Sequence, residues 1–176
     1  MLARSREWAA LWESLPPDDR LRAAHAYADL IAAHPSACAA MDVLVAAPTD
    51  AVAGSGPAAA ERATRLASAA GLPAAIVHNL LVAFHRRWRL ALVTRFLDVA
   101  GIAHRDGLVD VSRAGPRAAA VVRLREAVRA VRREHPAAHV RLFLDVLRLQ
   151  AERPWARLAE ALASGSSPPG RRGGRP

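Results

Sequence analysis

Apolar residues recur at helical spacing along most of this chain, and proline or glycine interrupts them at short intervals. Trp8, Leu11, Trp12 and Leu15 fall on one face of a first helix near 3–15, which stops at Pro16-Pro17. Asp18 or Asp19 is expected to cap a second helix with Leu21, Ala24, Ala28 and Ile31 turned inward. That helix ends before Pro35, because proline fits poorly inside a helix and pushes the preceding residue out of the α region. A third helix is predicted over 36–47, and PTDAVAGSGP at 48–57 reads as a loop. Next come a helix near 58–70, a break at Gly71-Leu72-Pro73, and a strongly apolar helix near 74–85. Ile76, Val77, Leu80, Leu81 and Phe84 make this last helix a central element. Trp88 marks a junction to a helix near 89–100, which is expected to bury Leu90, Val93, Phe96 and Leu97 and to stop at Gly101.

Residues 101–115 read as a loop with a short extended piece at Leu108–Val111 and a turn at Asp106-Gly107. Pro116 opens a helix to about 134, Pro136 another to about 151, and Pro154 a last one with Trp155, Leu158 and Leu162 inward. No long alternating run of β-branched residues occurs. The fold class is therefore all-α: a single irregular or orthogonal bundle of about eight or nine short helices over residues 1–163, with 74–85 and 137–150 central. Residues 164–176, SGSSPPGRRGGRP, hold no core-forming side chain and are expected to be a disordered basic tail.

Composition agrees with this class. Of the 176 residues 42 are alanine, the best helix former and a poor strand residue. All 25 basic residues are arginine, a preference that a GC-rich genome explains. Codon usage does not explain their placement. Residues 1–110 hold 11 Arg against 11 acidic residues, whereas residues 111–176 hold 14 against 5 and so carry the whole net charge of +9. Within that half, Arg125, Arg129, Arg132 and Arg133 recur at helical spacing away from the apolar stripe of Val121, Leu124, Val128 and Val131. Only Glu126 and Glu134 lie near enough in sequence to offset them. Such a row suits an anionic partner, and a solvated face that keeps an Ala-rich protein soluble is the plainer reading. No Tyr or Phe alternates with these arginines, which disfavours single-strand stacking.

A second local pattern lies at 63–82, ATRLASAAGLPAAIVHNLLV. Leu66, Ala67, Ala70, Gly71, Leu72, Val77 and Leu80 stand where a helix-turn-helix needs small, left-handed and apolar residues. The segment resembles the helix-turn-helix motif of bacterial repressors. The resemblance implies that 74–85 is a reading helix, with His78 and Asn79 facing base edges and Arg86, Arg87 and Arg89 holding phosphate.

Other chemistry is weaker. The single cysteine, Cys38, excludes an intrachain disulfide and sits among alanines, the setting of an inert thiol. His104-Arg105-Asp106 spells a kinase catalytic-loop triplet, but its asparagine and the glycine-rich loop are missing. His135 and His139 are four apart, yet Pro136 places His135 outside the helix, so no metal or cofactor is expected. His78 and His85 are better read as satisfied imidazoles at the edge of a core. Residues 66–84 carry no formal charge but are broken by Gly71-Leu72-Pro73, which reads as a buried helix pair rather than a membrane span. The first residues do not form a secretory signal, and a cytoplasmic location is expected. The functional expectation is a non-catalytic helical binding or scaffold protein. Its Arg125, Arg129, Arg132 and Arg133 face would meet a protein or another anionic macromolecule. The alternatives are helix-turn-helix nucleic-acid binding and an enzyme whose site is assembled from distant residues.

Overall fold

The computed structural model describes residues 2–33, 57–109, 120–150 and 157–163. The chain is all-α. Among the described residues there are eight helices, α1 Leu2–Glu13, α2 Pro17–Ala33, α3 Pro57–Ser68, α4 Ala74–Trp88, α5 Leu90–Ala100, α6 Val121–Glu134, α7 Ala137–Gln150 and α8 Leu158–Ala163. One small hairpin, β1 His104–Arg105 and β2 Leu108–Val109, follows α5. The expected helix at 36–47, the loop at 48–57, Cys38, Ile31's side chain, Pro116, Pro154-Trp155 and the tail at 164–176 lie outside the described residues. The sequence suggests one domain, and the contacts of the chain gather into two compact units, Met1–Leu90 and Ala91–Pro176.

In the first unit, α2 packs against α3 and α4, and α1 packs against α4. Alanine sets the spacing: Ala23, Ala24, Ala26 and Ala28 of α2 and Ala63 and Ala67 of α3 are all buried. Side chains of one methyl group let backbones approach closely and give up little entropy. The larger apolar groups come from α4, with Ile76, Val77, Leu80, Leu81 and Phe84 buried, and from Trp8, Trp12 and Leu15 at the chain start. Helix α2 begins one residue before the expected cap. Pro17 takes the first helical position, where its missing N–H costs nothing, and Asp18 and Asp19 fall in the first turn. There they face the positive end of the helix dipole.

The second unit has one continuous core. Leu92, Val93, Phe96 and Leu97 of α5 meet Leu124, Val128 and Val131 of α6, Val140, Phe143, Leu144 and Leu147 of α7, and Leu158 of α8. Phe96 and Phe143 meet edge to face, ring centroids 5.3 Å apart. Leu90, expected to be inward, is 38% exposed because it opens α5 directly after the non-helical Arg89.

Two glycine-dependent turns frame the hairpin. Gly101 ends α5 at φ +70. Its N–H bonds to the Asp98 carbonyl at 3.1 Å and the Ile102 N–H reaches the Leu97 carbonyl at 2.9 Å, satisfying the last carbonyls of the helix. Asp106 at φ 51 and Gly107 at φ 77 form the two-residue turn between β1 and β2, whose register pairs His104 with Val109 and Arg105 with Leu108.

Two substitutions test this packing. Phe96→Ala is expected to cost about 3–5 kcal/mol of stability in urea unfolding, since a fully buried ring leaves a cavity in a four-helix core. Gly101→Ala meets open space, so its cost is that of the left-handed backbone alone, about 1–2 kcal/mol.

Candidate anion-binding face

Helix α6 turns Leu124, Ala127, Val128, Ala130 and Val131 inward. At 3.6 residues per turn, Arg125, Arg129 and Arg132 share an opposite arc of about 60°, and Val122 and Arg133 widen it to about 100°. Arg129, Arg132 and Arg133 are exposed and Arg125 is half-buried. The helix ends because Pro136 holds His135 extended at φ −131 and ψ 154, while the His135 N–H still bonds to the Val131 carbonyl at 3.0 Å. Arg132 and Arg133 thus also stand in the last turn, where a cation favours the helix dipole.

The carboxylates near this row are engaged elsewhere. Glu126 pairs with Arg123 at 3.3 Å, on the flank of the helix. Glu134 is held by Arg95 of α5, whose Nε and Nη2 donate to its two oxygens at 2.9 and 2.8 Å. Asp145 faces Arg148 at 4.0 Å, and Glu160 pairs with Arg157 at 3.3 Å. Every described acidic residue beyond position 110 is therefore matched to an arginine outside the row. Among the described residues, Arg125, Arg129, Arg132 and Arg133 form no ion pair within 4 Å, although the charge of Arg133 also helps to lower the Glu134 carboxyl.

Two details sharpen the face. The Arg125 Nε is buried and meets no hydrogen-bond acceptor among the described residues. Such an unmatched buried donor costs roughly 1–3 kcal/mol. Val122 is 63% exposed and lies along the same arc, so the face offers an apolar contact beside its charges. The Arg95 fork fixes the charge balance. Its hydrogen bonds hold the Glu134 carboxyl below the usual carboxylate range, with the positive charge of Arg95 adding to that. The same bonds push the Arg95 guanidinium up.

The residues of the helix-turn-helix pattern lie in the first unit. Helices α3 and α4 flank the expected break, with Gly71 at φ 68. His78 is half-buried, its ring edge-on to Trp8 with centroids 5.4 Å apart, and its Nδ1 lies 3.2 Å from the Asn79 Oδ1. Groove reading asks for these two side chains on an open face, and α1 packs along α4 at His78. Arg86 is half-buried and Arg87 exposed one turn beyond. Arg87 lies against the Trp88 ring at 5.4 Å from its centroid, whereas His78 lies against Trp8 of α1. His85 is buried, donating from Nδ1 to the Leu81 carbonyl at 2.8 Å.

Sequence reading missed three features here. The Arg95–Glu134 fork spans 39 positions, too far for local spacing to reveal. Arg89, expected with Arg86 and Arg87 to hold phosphate, is turned inward instead: its side chain is 8% exposed, its guanidinium lies 4.5 Å over the Phe84 ring, and Asp19 stands 3.7 Å away. Burial pulls its pKa down, Asp19 opposes that shift, and Arg22 adds to it. His104 is held on both ring nitrogens, with Nε2 3.1 Å from the Asp98 carboxylate and Nδ1 accepting from the Gly107 N–H at 3.4 Å. It thus braces the hairpin rather than offering a free base. Among the described residues no group of three or more His, Cys, Asp or Glu could hold a metal ion, and no helix is long and apolar enough to cross a membrane.

The pH dependence of the Arg95–Glu134 pair follows from the lowered Glu134 pKa. A carboxyl held lower in the folded chain contributes stability above its unfolded value, near 4.3, and loses it as pH falls through the folded value. Urea unfolding of the wild type and Glu134→Gln is therefore expected to differ most at neutral pH and to converge in the acid limb. Comparison with protein-family models, with curated proteins and with solved structures returns no match for this chain.

Proposed function

We propose that this chain is a non-catalytic helical binding protein that meets an anionic macromolecule through the α6 face of Arg125, Arg129, Arg132 and Arg133. The observation that carries the reading is the allocation of charge. The described acids nearby are matched to Arg95, Arg123, Arg148 and Arg157, and the four arginines of the row form no ion pair within 4 Å among the described residues. A solvated face needs scattered charge of both signs. A one-sign row beside an exposed valine fits a surface that finds its counter-charge on another molecule. The row runs from Arg125 to Arg133, about 12 Å along the helix, which suits an extended polyanion or an acidic protein surface better than a single small ion.

A second reading, nucleic-acid recognition through α3 and α4, is favoured by one observation: the two helices meet at a left-handed Gly71. It uses other side chains, His78, Asn79, Arg86 and Arg87, and so can be separated from the first.

Fluorescence anisotropy of the full chain with labelled duplex DNA and with labelled poly-glutamate, across a salt series, tests both readings. For the first, binding of at least one probe is expected to weaken steeply with salt. For a duplex, each neutralised phosphate adds about 0.9 to the slope of log affinity against log salt, so Arg125→Ala/Arg129→Ala/Arg132→Ala should lower that slope by about 2.7. The α6 reading is overturned if neither probe binds at low salt, or if the triple variant binds as the wild type does. The second reading expects His78→Ala/Asn79→Ala to abolish a preference among duplex sequences while leaving the salt slope unchanged.

A further inference from the structure

A shallow groove of about 210 Å³ runs between α2 and α4 in the first unit. Its lining is Ala26, Asp29 and Leu30 from α2 and Ala83, Arg86 and Arg87 from α4. The groove arises from composition: Ala26 and Ala83 are 6% and 3% exposed, and two methyl groups leave a gap that longer side chains would close. Its rim is polar on both sides. Asp29, Arg86 and Arg87 form no ion pair among the described residues. The Arg86 Nε is buried without a hydrogen-bond partner among the described residues. Beside the groove Trp88 is 55% exposed, with the guanidinium carbons of Arg87 and Arg22 at 5.4 and 5.9 Å from its ring centroid. A large aromatic left in water and flanked by two cations is the composition of a contact surface, since Trp and Arg are the residues that dominate binding energy.

Size and charge select the occupant. The volume falls below the roughly 300–1,000 Å³ of sites that enclose a small molecule, and it suits one apolar side chain presented from outside. Two arginines on one wall call for carboxylates or phosphates. The Asp29 carboxylate on the other wall accepts hydrogen bonds from backbone N–H groups, which a peptide has and a nucleic-acid backbone lacks. We propose that this groove binds an acidic segment of a partner protein. One apolar side chain of the segment enters over Ala26 and Ala83, its carboxylates meet Arg86 and Arg87, and Asp29 takes a backbone N–H. This site lies in a different unit from the α6 face and stands or falls separately from it.

The test measures fluorescence anisotropy of the full chain with a fluorescein-labelled peptide Glu-Glu-Leu-Glu-Glu and its counterpart with Gly in place of Leu. The leucine peptide is expected to bind about tenfold more tightly, the equivalent of burying much of one leucine side chain. That preference should disappear in Arg86→Ala/Arg87→Ala and in the exposed single change Arg87→Glu. It should persist in Arg125→Ala/Arg129→Ala/Arg132→Ala, which removes only charge-driven binding at α6. Equal affinity for the two peptides overturns the proposal. So does a leucine preference that survives both groove variants or vanishes in the α6 variant. Displacement of the leucine peptide by a single-stranded oligonucleotide of equal charge more effectively than by unlabelled leucine peptide would make the groove a nucleic-acid site and likewise overturn it.

Discussion

The fork of Arg95 on Glu134 governs the electrostatics of the second unit. Glu134 follows Arg133 directly and would otherwise be the natural counter-charge for the C-terminal end of the α6 row. Two hydrogen bonds from a planar guanidinium to both carboxylate oxygens fix it instead to α5. At the other end, Arg123 does the same for Glu126 with a single contact. Within α6, the arginines left outside these pairs thereby lie on one arc of the helix. Exposed ion pairs add little to stability, so the significance of these pairs lies in which charges they leave uncovered.

The packing that supports this arrangement differs between the units. The first relies on alanine-lined contacts around α2, with a few large groups from α1 and α4. Small residues allow close helix approach, and where two of them face each other they leave a groove, as Ala26 and Ala83 do. The second uses leucine, valine and two phenylalanines in one continuous core. Its α7 is buried around most of its circumference, with Val140, Leu142, Phe143, Leu144, Val146, Leu147 and Leu149 inside. That breadth suits a central element, and α6 needs only one stripe inward. The rest of α6 is therefore available to solvent and to a partner.

Local physics was legible in the sequence. Pro17, Gly101 and Pro136 mark helix ends as expected, whereas α4 runs past 85 to Trp88 with neither proline nor glycine to stop it, and α6 starts at Val121 after an extended Ala120 rather than at Pro116. Gly101 and Asp106-Gly107 take the left-handed turns that their residue types suggest, and Trp8, Trp12 and Leu15 turn inward together. The spacing of Arg125, Arg129, Arg132 and Arg133 on one arc was equally readable, because it depends only on the helical period. What the sequence hid depends on pairing between distant segments. Nothing in 3.6-residue periodicity says that Arg95 meets Glu134, that Trp8 covers His78, or that Asp29 faces Arg86 and Arg87 across a groove. The start of α2 was misplaced by a finer competition: two aspartates look like caps, but proline is better suited to the first helical position.

On the proposed function, the four arginines of the α6 row are available to a partner while Arg95 and Arg123 are engaged in ion pairs. Side-chain nitrogen–proton NMR, which resolves individual Arg Nε groups, reads this directly when the full chain is titrated with poly-glutamate or duplex DNA. The resonances of Arg125, Arg129, Arg132 and Arg133 are expected to shift with one of these polyanions, and those of Arg95 and Arg123 to stay in place. Equal shifts across all six would mean diffuse attraction to a basic surface, and shifts confined to Arg95 and Arg123 would mean that the pairs, not the row, are the labile charges. Either result would contradict the account.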